Sequence, residues 1–481
     1  MSPTPLLRSK RPAPSFVAVD AHARAVGTLQ ADLAALPPGL PVRLAKPTSN
    51  LFRARSGAIR GLDVSGLTGV LGVDPHARTA EVQGMCTYEA LVAATLPYGL
   101  MPLVVPQLKT ITLGGAVTGL GIESTSFANG LPHESVLEMD VLTASGEVFT
   151  AAPTGEHADL FAAFPNSYGS LGYATRLRIE LAPIGAYVAT RNVAFTDLDA
   201  LVDAITAVIG TGAYEGERVD AMDGVAFGPR EFYLVLGRFT DTLHPLWGPA
   251  RPSDYTGQGI YYRSIAARTR DTLTAHDYLW RWDPDWFWCS GAFGAQHPLV
   301  RRAWPRRYRR SDVYRRLLAV DQRYSLADRL DRRRGGPGLE RVIQDVEIPL
   351  DRASEFLAWF FEHIPMRRLW LCPLVLTGCP DPAGGPGEPW TLYPLPPRTP
   401  YLNIGLWGTV PRDPARADGA ANRDIERAVA RAGGHKSLYS DAFYDKDTFE
   451  ATYGGERYRA VRARYDANSR LDSLYEKVTG S

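Results

Sequence analysis

The sequence contains few cysteines, and their spacing is not that of a crosslinked or zinc-binding chain. Its 481 residues include only four, at Cys86, Cys289, Cys372 and Cys379, and no two of them form a Cys-x-x-Cys pair. This scarcity argues against a disulfide scaffold and against a structural zinc site. We therefore predict no metal site and a reducing compartment, the cytoplasm.

Long apolar runs and an excess of charge of one sign are also absent. No run of 18 or more apolar residues occurs, so we expect no membrane-spanning helix. Residues 1–15 are polar and rich in proline, without the apolar core of a signal peptide. The net charge is only +1, so nothing global favours nucleic acid as a partner.

The length and texture of the chain indicate two α+β domains. A chain of 481 residues is too long for one ordinary core. Short alternating strands and helices fill the first part, and the texture changes near residue 184. We predict a disordered tail over 1–15, one domain over 16–183, a second over 184–430 and a helical segment over 431–481.

Local patterns predict the main elements of both domains. In the first domain they indicate strands at 42–45, 69–73, 79–84 and 177–181, a helix at 87–99 and a hairpin at 136–151. In the second they indicate helices at 196–212 and 354–364, and strands at 232–239, 341–350, 369–376 and 401–407. We further predict an Arg-rich helix at 299–334 and an exposed loop at 379–400.

Four glycines are concentrated in the eight residues 114–121, between Thr112 and Ser124. Glycine lets backbone N–H groups approach an anion closely, and neighbouring hydroxyl groups add hydrogen-bond donors, so a pyrophosphate is a natural ligand. The spacing is not the dinucleotide fingerprint, because Ser124 stands where a third glycine is needed. A tight turn that packs a helix on a sheet explains the glycines equally well.

Two other polar loops accompany the glycines in a fixed order. Residues 46–50 (KPTSN) follow an early strand, and residues 168–175 (YGSLGYAT) enter a later one. Alone, the first would be a helix cap and the second a turn. Together with the glycines they resemble the FAD-binding domain of the vanillyl-alcohol-oxidase, or PCMH-type, superfamily. The resemblance implies a two-subdomain PCMH-type FAD-binding domain over 16–183, followed by an α+β substrate, or cap, domain.

The resemblance also implies which residues hold FAD. They are Pro47, Thr48, Ser49, Asn50, Leu51, Thr112, Gly114, Gly115, Gly119, Gly121, Ile122, Glu123, Ser124, Ser126, Gly169, Leu171, Gly172 and Thr175. Many relatives bond the flavin covalently through a His or Cys in these loops. Neither residue occurs at 46–53 or 110–126, so the FAD implied here is non-covalent.

Further segments resemble two branches of this superfamily. Residues 61–74, 96–115, 121–136, 344–350, 369–374, 401–408 and 435–465 resemble the delta-24 sterol side-chain reductases. Residues 46–55, 104–124, 223–235 and 276–290 resemble more closely the FAD-dependent reductase of tuberculostearic (10-methyl-branched) fatty acid synthesis. The second resemblance implies a lipid acyl substrate with a 10-methylene group, NADPH as reductant and a partner methyltransferase that uses S-adenosylmethionine.

Both substrate classes contain an isolated alkene, which requires an acid and a way to stabilise developing positive charge. Seven aromatic residues fall within sixteen positions, 278–293. We predict that four of them, Trp280, Trp282, Trp286 and Trp288, contact the substrate. The alternative is that this stretch forms an aromatic core between the domains.

The candidate proton donors are Glu123, Lys436, Tyr439 and Tyr262, with His435, Tyr255 and Tyr261 as weaker alternatives. Glu123 lies in the glycine-rich loop, and the cluster around Lys436 lies in a segment that the resemblance marks. The competing interpretations are structural: Glu123 would be a helix-cap or surface carboxylate, and Lys436 and Tyr439 would support the fold.

A basic stretch at 301–316 contains eight arginines and one aspartate, with Trp304 and Tyr308 between them. Such a helix suits anionic lipid headgroups, so we hypothesise peripheral contact with the inner face of the plasma membrane. A solvated face paired with acidic neighbours is the alternative.

Three other functions remain open from the sequence. The chain could be a sterol reductase, an FAD-linked oxidase of an alcohol, sugar or lactone, or a non-catalytic flavoprotein that presents lipid to a methyltransferase. An oxidase would show an oxygen-reactive flavin, and a non-catalytic subunit would bind FAD without NADPH-driven turnover.

Overall fold

The computed structural model describes residues 16–37, 40–46, 52, 61–243, 251–324, 329, 333, 335–381 and 387–479. Its strands are β1 Leu44–Ala45, β2 Leu62–Asp63, β3 Val70–Asp74, β4 Thr79–Gln83, β5 Leu100–Pro102, β6 Val136–Leu142, β7 Val148–Ala151, β8 Tyr173–Pro183, β9 Tyr187–Phe195, β10 Ala213–Tyr214, β11 Glu217–Arg218, β12 Ala221–Gly228, β13 Glu231–Thr240, β14 Arg270–Thr274, β15 Leu339–Pro349, β16 Leu369–Val375, β17 Pro400–Pro411 and β18 His435–Lys436.

The helices are α1 Val19–Ala34, α2 Tyr88–Thr95, α3 Leu113–Thr118, α4 Ser126–Asn129, α5 Ala158–Ala163, α6 Leu198–Thr211, α7 Tyr261–Ala267, α8 Ala275–Leu279, α9 Pro298–Ala303, α10 Ser311–Tyr324, α11 Ala353–His363, α12 Ala420–Arg431, α13 Lys446–Thr452, α14 Gly455–Tyr465 and α15 Leu474–Thr479. The mixture of helices and two large sheets confirms the predicted α+β class. The predicted tail over 1–15 lies outside the described residues.

The first sheet is built around strand β8. Its order is β3-β4-β8-β6-β7, and β5 also pairs with β8. Leu177, Ile179 and Leu181 of β8 are buried, whereas Arg178 and Glu180 between them are exposed. This period of two places one face of the strand in the core, and it confirms the strand predicted at 177–181.

Helix α2 begins and ends at residues that its local sequence predicts. Thr87 caps the helix by accepting a hydrogen bond from the Ala90 N–H at 3.3 Å. A 3₁₀ turn over Leu96–Tyr98 continues it, and Gly99, with φ of 68°, ends it. The left-handed conformation at Gly99 is the usual way for a helix to stop. The helix predicted at 87–99 is confirmed.

The second sheet has eight strands in the order β14-β9-β13-β12-β16-β17-β15-β18. The first sheet ends at Pro183 and this one begins at Tyr187. Each strand has two unlike faces. One face, with Val346, Ile404 and Leu371, packs with residues of α6, α11 and α12 in a core of its own. Residues of the opposite face, among them Val225, Trp370 and Tyr401, share a core with residues of the first sheet.

Two expectations for the second domain are wrong. The Arg-rich stretch is not one helix: α9 ends before Trp304, a 3₁₀ turn covers Arg306–Tyr308, and α10 begins at Ser311. Pro305 accounts for the break, because a residue before proline avoids the helical conformation. The predicted exposed loop at 379–400 is partly buried, since Trp390 and Tyr393 are each 1% exposed.

The C-terminal segment returns to the first domain. The Val42 N–H donates to the Arg470 carbonyl at 3.0 Å, and the Phe52 N–H donates to the Tyr439 carbonyl at 2.9 Å. Arg43 also forms an ion pair with Asp472 at 2.7 Å. These contacts place the residues after β18 beside the N-terminal strands, so the inward face of the second sheet is closed at this end.

Candidate functional site

Helix α3 carries the glycine-rich segment and begins a tightly packed cradle. The Thr112 hydroxyl caps it by accepting from the Gly115 N–H at 3.2 Å. Lys46, at the end of β1, donates to the same hydroxyl at 2.7 Å. A Cβ atom at Gly115 would lie 3.1 Å from the Lys46 Nζ, and one at Gly114 would lie 2.6 Å from the Gly84 carbonyl oxygen. Only glycine leaves this approach open.

A second loop, 166–172, lies against the end of α3. The Tyr168 N–H donates to the Thr118 carbonyl at 2.7 Å. Asn166, Tyr168, Gly169 and Gly172 all have positive φ, at 59°, 49°, 77° and 126°. A non-glycine residue in this conformation costs energy, and such residues concentrate at ligand sites. We call α3, Lys46 and this loop the glycine cradle.

Within the described part of the chain, buried polar atoms without a hydrogen-bond partner lie in the segment before α3 and in the loop that packs against its end. They are Gln107 Nε2, Thr110 Oγ1, Asn166 Nδ2 and Ser167 Oγ. An unsatisfied buried donor or acceptor costs about 1–3 kcal/mol, so native proteins rarely keep four of them together. A polar cofactor such as FAD would satisfy these atoms, and the Lys46 ammonium would face its pyrophosphate. The residues present therefore fit FAD.

The residues assigned to FAD from the sequence take different places. Pro47, Thr48, Ser49, Asn50 and Leu51 lie outside the described residues. Thr112, Gly114, Gly115 and Gly119 belong to the cradle or adjoin it, as do Gly169, Leu171 and Gly172. Gly121 and Ile122 follow in the loop after α3, where a Cβ atom at Gly121 would meet Pro106 and Pro132. Their part in binding FAD stays a prediction.

Three of the predicted hydroxyl ligands are already bonded within the protein. The Ser124 hydroxyl donates to Glu123 Oε1 at 2.8 Å, and the Ser126 hydroxyl accepts from the Glu123 N–H at 3.1 Å. The Thr175 hydroxyl donates to the Asp140 carbonyl at 3.2 Å. Gln107, Thr110, Asn166 and Ser167 each have a polar group with no partner among the residues that the structure describes, and these groups and Lys46 are ligand candidates that the sequence did not indicate.

Glu123 lies in a buried ionic network that joins the glycine-rich loop to the second sheet. Arg281 donates to Glu123 Oε1 at 2.7 Å and to Asp223 Oδ2 at 2.9 Å, and the Arg281 side chain is fully buried. Burial raises the pKa of Glu123, with Arg281 opposing and Asp223 reinforcing that effect. The same Asp223 oxygen accepts from the indoles of Trp282 and Trp370. Glu123 therefore links the glycine-rich loop to the second sheet through Arg281.

Aromatic rings cover the centre of the inward face. Phe287 packs on Trp282 at 4.8 Å between centroids, on Trp407 at 4.1 Å and on Trp370 at 5.4 Å. Trp288 completes this aromatic cluster and donates from its indole to the Trp407 carbonyl at 3.1 Å. Trp370 and Trp407 were not predicted as site residues, because they come from β16 and β17 rather than from the aromatic stretch.

The other two predicted substrate residues lie at the edges. Trp286 stacks on Phe52 at 5.7 Å, and Trp280 lies beneath the Lys109 ammonium at 5.9 Å. Trp286 and Phe287 both have positive φ, at 45° and 60°. This strained pair turns successive rings in different directions, which lets one contact Phe52 and the other the cluster centre. A role for all four tryptophans in substrate binding stays a prediction.

Most of the predicted proton donors are engaged elsewhere. Lys436 donates to Glu426 at 2.6 Å in a fully buried ion pair. The Tyr262 hydroxyl donates to Gln296 Oε1 at 2.8 Å, and that of Tyr255 donates to Asp271. His435 packs between two tyrosine rings, and burial lowers the pKa of His435 to about 3, so it is neutral at pH 7. The Tyr261 hydroxyl is buried without a partner among the described residues.

Tyr439 differs, because it lies beside the aromatic cluster and a carboxyl group. Its hydroxyl accepts from the Trp407 indole at 2.9 Å, and its ring meets Phe52 edge-on. Burial raises the pKa of Tyr439, and the nearby Asp345 and Tyr168 add to the effect. Tyr168 belongs to the cradle, so Tyr439 lies near the cradle as well as beside the cluster.

Asp345 is the carboxyl group at this position, and the sequence analysis missed it. It lies on β15 directly opposite Gly405 of β17. Burial raises the pKa of Asp345 to about 7, against hydrogen bonds from Asn403 and Tyr439 that lower it. One feature of the sequence could have indicated Asp345: it is an acidic residue in a predicted strand whose alternate positions are mostly apolar.

Comparison with known proteins also indicates that this chain binds FAD. A family model described as an FAD-binding domain matches residues 34–152. Delta(24)-sterol reductases from Rattus norvegicus and Homo sapiens are 24% and 25% identical over 430 residues, covering 86% of this chain and 76% of each relative. Cytokinin dehydrogenase 2 from Oryza sativa subsp. japonica is 31% identical over 219 residues, which is 44% of this chain and 36% of that protein.

This chain is an FAD-dependent oxidoreductase related to the delta-24 sterol reductases. The cradle lies partly within the region that the FAD-binding model matches, and the aromatic cluster lies beyond it, in the region shared with the sterol reductases. None of the helices in the described part of the chain is long and apolar enough to cross a membrane.

Proposed function

We propose that this oxidoreductase reduces an isolated carbon–carbon double bond of a lipid. The proposed substrate is the 10-methylene group of a methylene-octadecanoyl chain, which becomes the 10-methyl group of tuberculostearic acid with NADPH as electron donor. On this proposal the enzyme acts in the cytoplasm after a methyltransferase that uses S-adenosylmethionine. FAD, when bound, would supply the hydride chemistry.

The aromatic cluster supports this proposal more than any other feature. An isolated alkene has no carbonyl group to bind, so its site must be apolar and must stabilise positive charge as a proton arrives. The faces of tryptophan rings do both. Trp370 and Trp407 lie 5.9 Å apart on either side of Gly405, and a Cβ atom at Gly405 would lie 2.6 Å from the Trp407 ring.

A sterol side chain is the second candidate substrate. The similarity to delta-24 sterol reductases extends over most of this chain, and it supports that substrate as well as the fatty-acid one. Both substrates place a branched alkene carbon against the cluster. The choice between them requires a direct comparison of the two lipids.

Anaerobic single-turnover measurements test the reaction. The holoenzyme is reduced with NADPH and mixed with either a 10-methylene-octadecanoyl phospholipid or a sterol with a Δ24 side chain. Reoxidation of the flavin with a gain of two hydrogens in one lipid would identify that substrate. Flavin that only oxygen reoxidises would favour an oxidase, and flavin that NADPH cannot reduce would favour the non-catalytic subunit.

Gly405→Val should block the same reaction while leaving the cofactor in place. The new side chain would displace the Trp407 ring and crowd Asp345 Oδ1, which lies 2.9 Å from the position of a Cβ atom. We expect the rate of alkene-dependent reoxidation to fall about a hundredfold, since misplacing the substrate by about 1 Å has that effect. Gly228→Val is the matched control, because no atom lies within 4 Å of a Cβ atom there. Equal rates in both variants would place the alkene elsewhere.

We also propose that the surface around α9 rests on an anionic membrane, where an acyl chain in a phospholipid would be found. Not all of the basic stretch is available for this. Arg301 is buried and paired with Asp285 at 2.7 Å, and Arg309 donates to backbone carbonyl groups. The exposed residues around α9 include Leu299, Val300, Arg302, Arg306, Arg307 and Tyr308, an apolar and basic mixture that suits a lipid interface.

Replacing Arg302, Arg306 and Arg307 together by serine should release the protein from anionic liposomes in a flotation assay. Each arginine near such a surface contributes about 1 kcal/mol, so the triple variant should bind roughly a hundredfold more weakly. The control replaces three exposed arginines elsewhere, Arg24, Arg218 and Arg427. Unchanged flotation of the first triple variant would remove the membrane proposal without affecting the reductase one.

A further inference from the structure

We propose that Asp345 donates the proton that the alkene carbon receives. This inference rests on the proposed alkene reduction and names the group that completes it. Proton donation needs a carboxyl group that faces the substrate space, keeps its proton near neutral pH and has no competing cation.

The fold directs Asp345 toward the aromatic cluster. Asp345 pairs with Gly405 across the β15–β17 ladder, and Gly405 pairs in turn with Trp370 of β16. Residues opposite one another in a ladder point to the same side of a sheet. The absence of a side chain at Gly405 leaves room for the Trp407 ring, which lies 2.6 Å from the position of a Cβ atom there, and Asp345 Oδ1 lies 2.9 Å from the same position. The carboxyl group and the Trp407 ring are therefore neighbours.

Other acidic groups on this side are enclosed or already paired. Glu123 and Asp223 share the guanidinium of Arg281. Glu347, two residues from Asp345 on the same strand, has no exposed surface and accepts from the Ser437 hydroxyl at 2.8 Å. Asp345 keeps part of its surface exposed, unlike Glu123, Asp223 and Glu347.

The groups around Asp345 favour its protonated form. Among the described residues no ion pair involves it, and Lys436 on the adjacent β18 pairs with Glu426 instead. The titratable neighbours that face it are Glu347 on its own strand, Cys372 on β16, Tyr439 after β18 and Tyr393 in the segment before β17. None of them is a cation, which agrees with the pKa near 7.

The proposed step balances without further reagents. The O–H bond of Asp345 breaks, and the π electron pair of the alkene forms a C–H bond with that proton. The other alkene carbon, left electron-poor beside the indole faces, would take up the hydride that reduced FAD supplies when it is bound. The lipid is thereby reduced by two electrons, and the Asp345 carboxylate regains its proton from solvent. Tyr439, hydrogen-bonded to both Asp345 and Trp407, holds the carboxyl group in position.

Asp345→Asn and Glu347→Gln form a matched pair for the test. Both exchange a carboxyl group for an amide on the same face of β15. We expect Asp345→Asn to bind FAD and accept electrons from NADPH normally, but to reoxidise with the alkene about 10²–10⁴-fold more slowly, as for the loss of a general acid. Glu347→Gln should stay within about threefold of the wild type. Asp345→Glu keeps an acid and should recover part of the rate.

Two readouts separate proton donation from a structural role. The wild-type reoxidation rate should fall as pH rises through about 7, because the donor loses its proton, and Asp345→Asn should lose that dependence. Infrared spectroscopy of the holoenzyme at pH 6 should show a protonated carboxyl band that Asp345→Asn removes and Glu347→Gln keeps. Burial also raises the pKa of Glu347, so Glu347 should contribute a separate band that only Glu347→Gln removes. This second readout does not depend on turnover.

The outcomes distinguish the two levels of proposal. If the wild-type flavin is reoxidised by neither lipid, the alkene reduction itself is wrong. If the wild type reduces the lipid and Asp345→Asn matches its rate, or if Glu347→Gln alone abolishes it, the reductase stands and Asp345 is not the donor.

Discussion

Arg281→Met is expected to destabilise the folded protein by about 3–5 kcal/mol, the cost of removing one partner from a buried ion pair. Arg281 is the cation between two enclosed carboxylates, Glu123 of the glycine-rich loop and Asp223 of the second sheet. Without it, both carboxylates would remain buried without their counter-ion. The midpoint of thermal unfolding of the apoprotein should therefore fall clearly below that of the wild type.

The same substitution should weaken the contacts between the glycine-rich loop and the second sheet. Glu123 is adjacent to Ser124, whose carbonyl accepts from the Met222 N–H at 2.6 Å and whose hydroxyl accepts from Tyr278 at 3.0 Å. Repulsion between Glu123 and Asp223 would act on these contacts. We expect Arg281→Met to be purified with less bound FAD than the wild type.

A charge-neutral triple variant, Glu123→Gln with Asp223→Asn and Arg281→Met, serves as the first control. It removes the uncompensated charges and should recover most of the lost stability, because a neutral core often replaces a buried ion pair at little cost. Arg302→Met, at an exposed site, should change stability by no more than about 0.5 kcal/mol. An unfolding midpoint for Arg281→Met equal to that of the wild type would show that the network does not join the domains.

Gly115→Val should weaken FAD binding more than any other single change in the cradle. The added side chain would meet the Thr112 hydroxyl and the Lys46 ammonium, which lie 2.8 Å and 3.1 Å from the position of a Cβ atom. It would also fill the space through which a pyrophosphate approaches the backbone. Lys46→Met removes the charge alone and should cost about 1.5–3 kcal/mol, or roughly 10–150-fold in affinity.

Flavin titration of the apoprotein, followed by fluorescence quenching, measures both effects. Gly72→Val is the control for Gly115→Val, since nothing lies within 4 Å of a Cβ atom at Gly72. Lys446→Met, at an exposed lysine, is the control for Lys46→Met. If Gly115→Val bound FAD as tightly as Gly72→Val, the pyrophosphate would have to lie away from α3.

The elements of this protein could be predicted to a large extent from local sequence. The hairpin at 136–151 appears as β6 and β7, and the helix at 196–212 appears as α6 with Asp197 as its cap. Such elements are specified by periodic burial and by capping residues, and both signals lie within a few residues of the element itself. The Arg-rich stretch was mispredicted because basic composition favours a helix, whereas Pro305 interrupts it.

The sequence by itself determined that this chain has a glycine-rich loop suited to FAD and an aromatic stretch suited to an apolar substrate. These features are continuous in the chain, so their order and composition were sufficient to recognise them. Their detailed roles were not determined in the same way. Glu123 looked like a free acid because its partner, Arg281, lies 158 residues away.

Only the tertiary structure decided which side chains meet at the site. Asp345 and Gly405 become neighbours through strand pairing, and Trp370 joins them from a third strand. Alternation shows that a strand has two faces, but it does not show which other strand lies beside it or which face is turned toward a cofactor. Register between distant strands depends on the packing of the whole sheet, and that packing placed a carboxyl group beside the aromatic cluster.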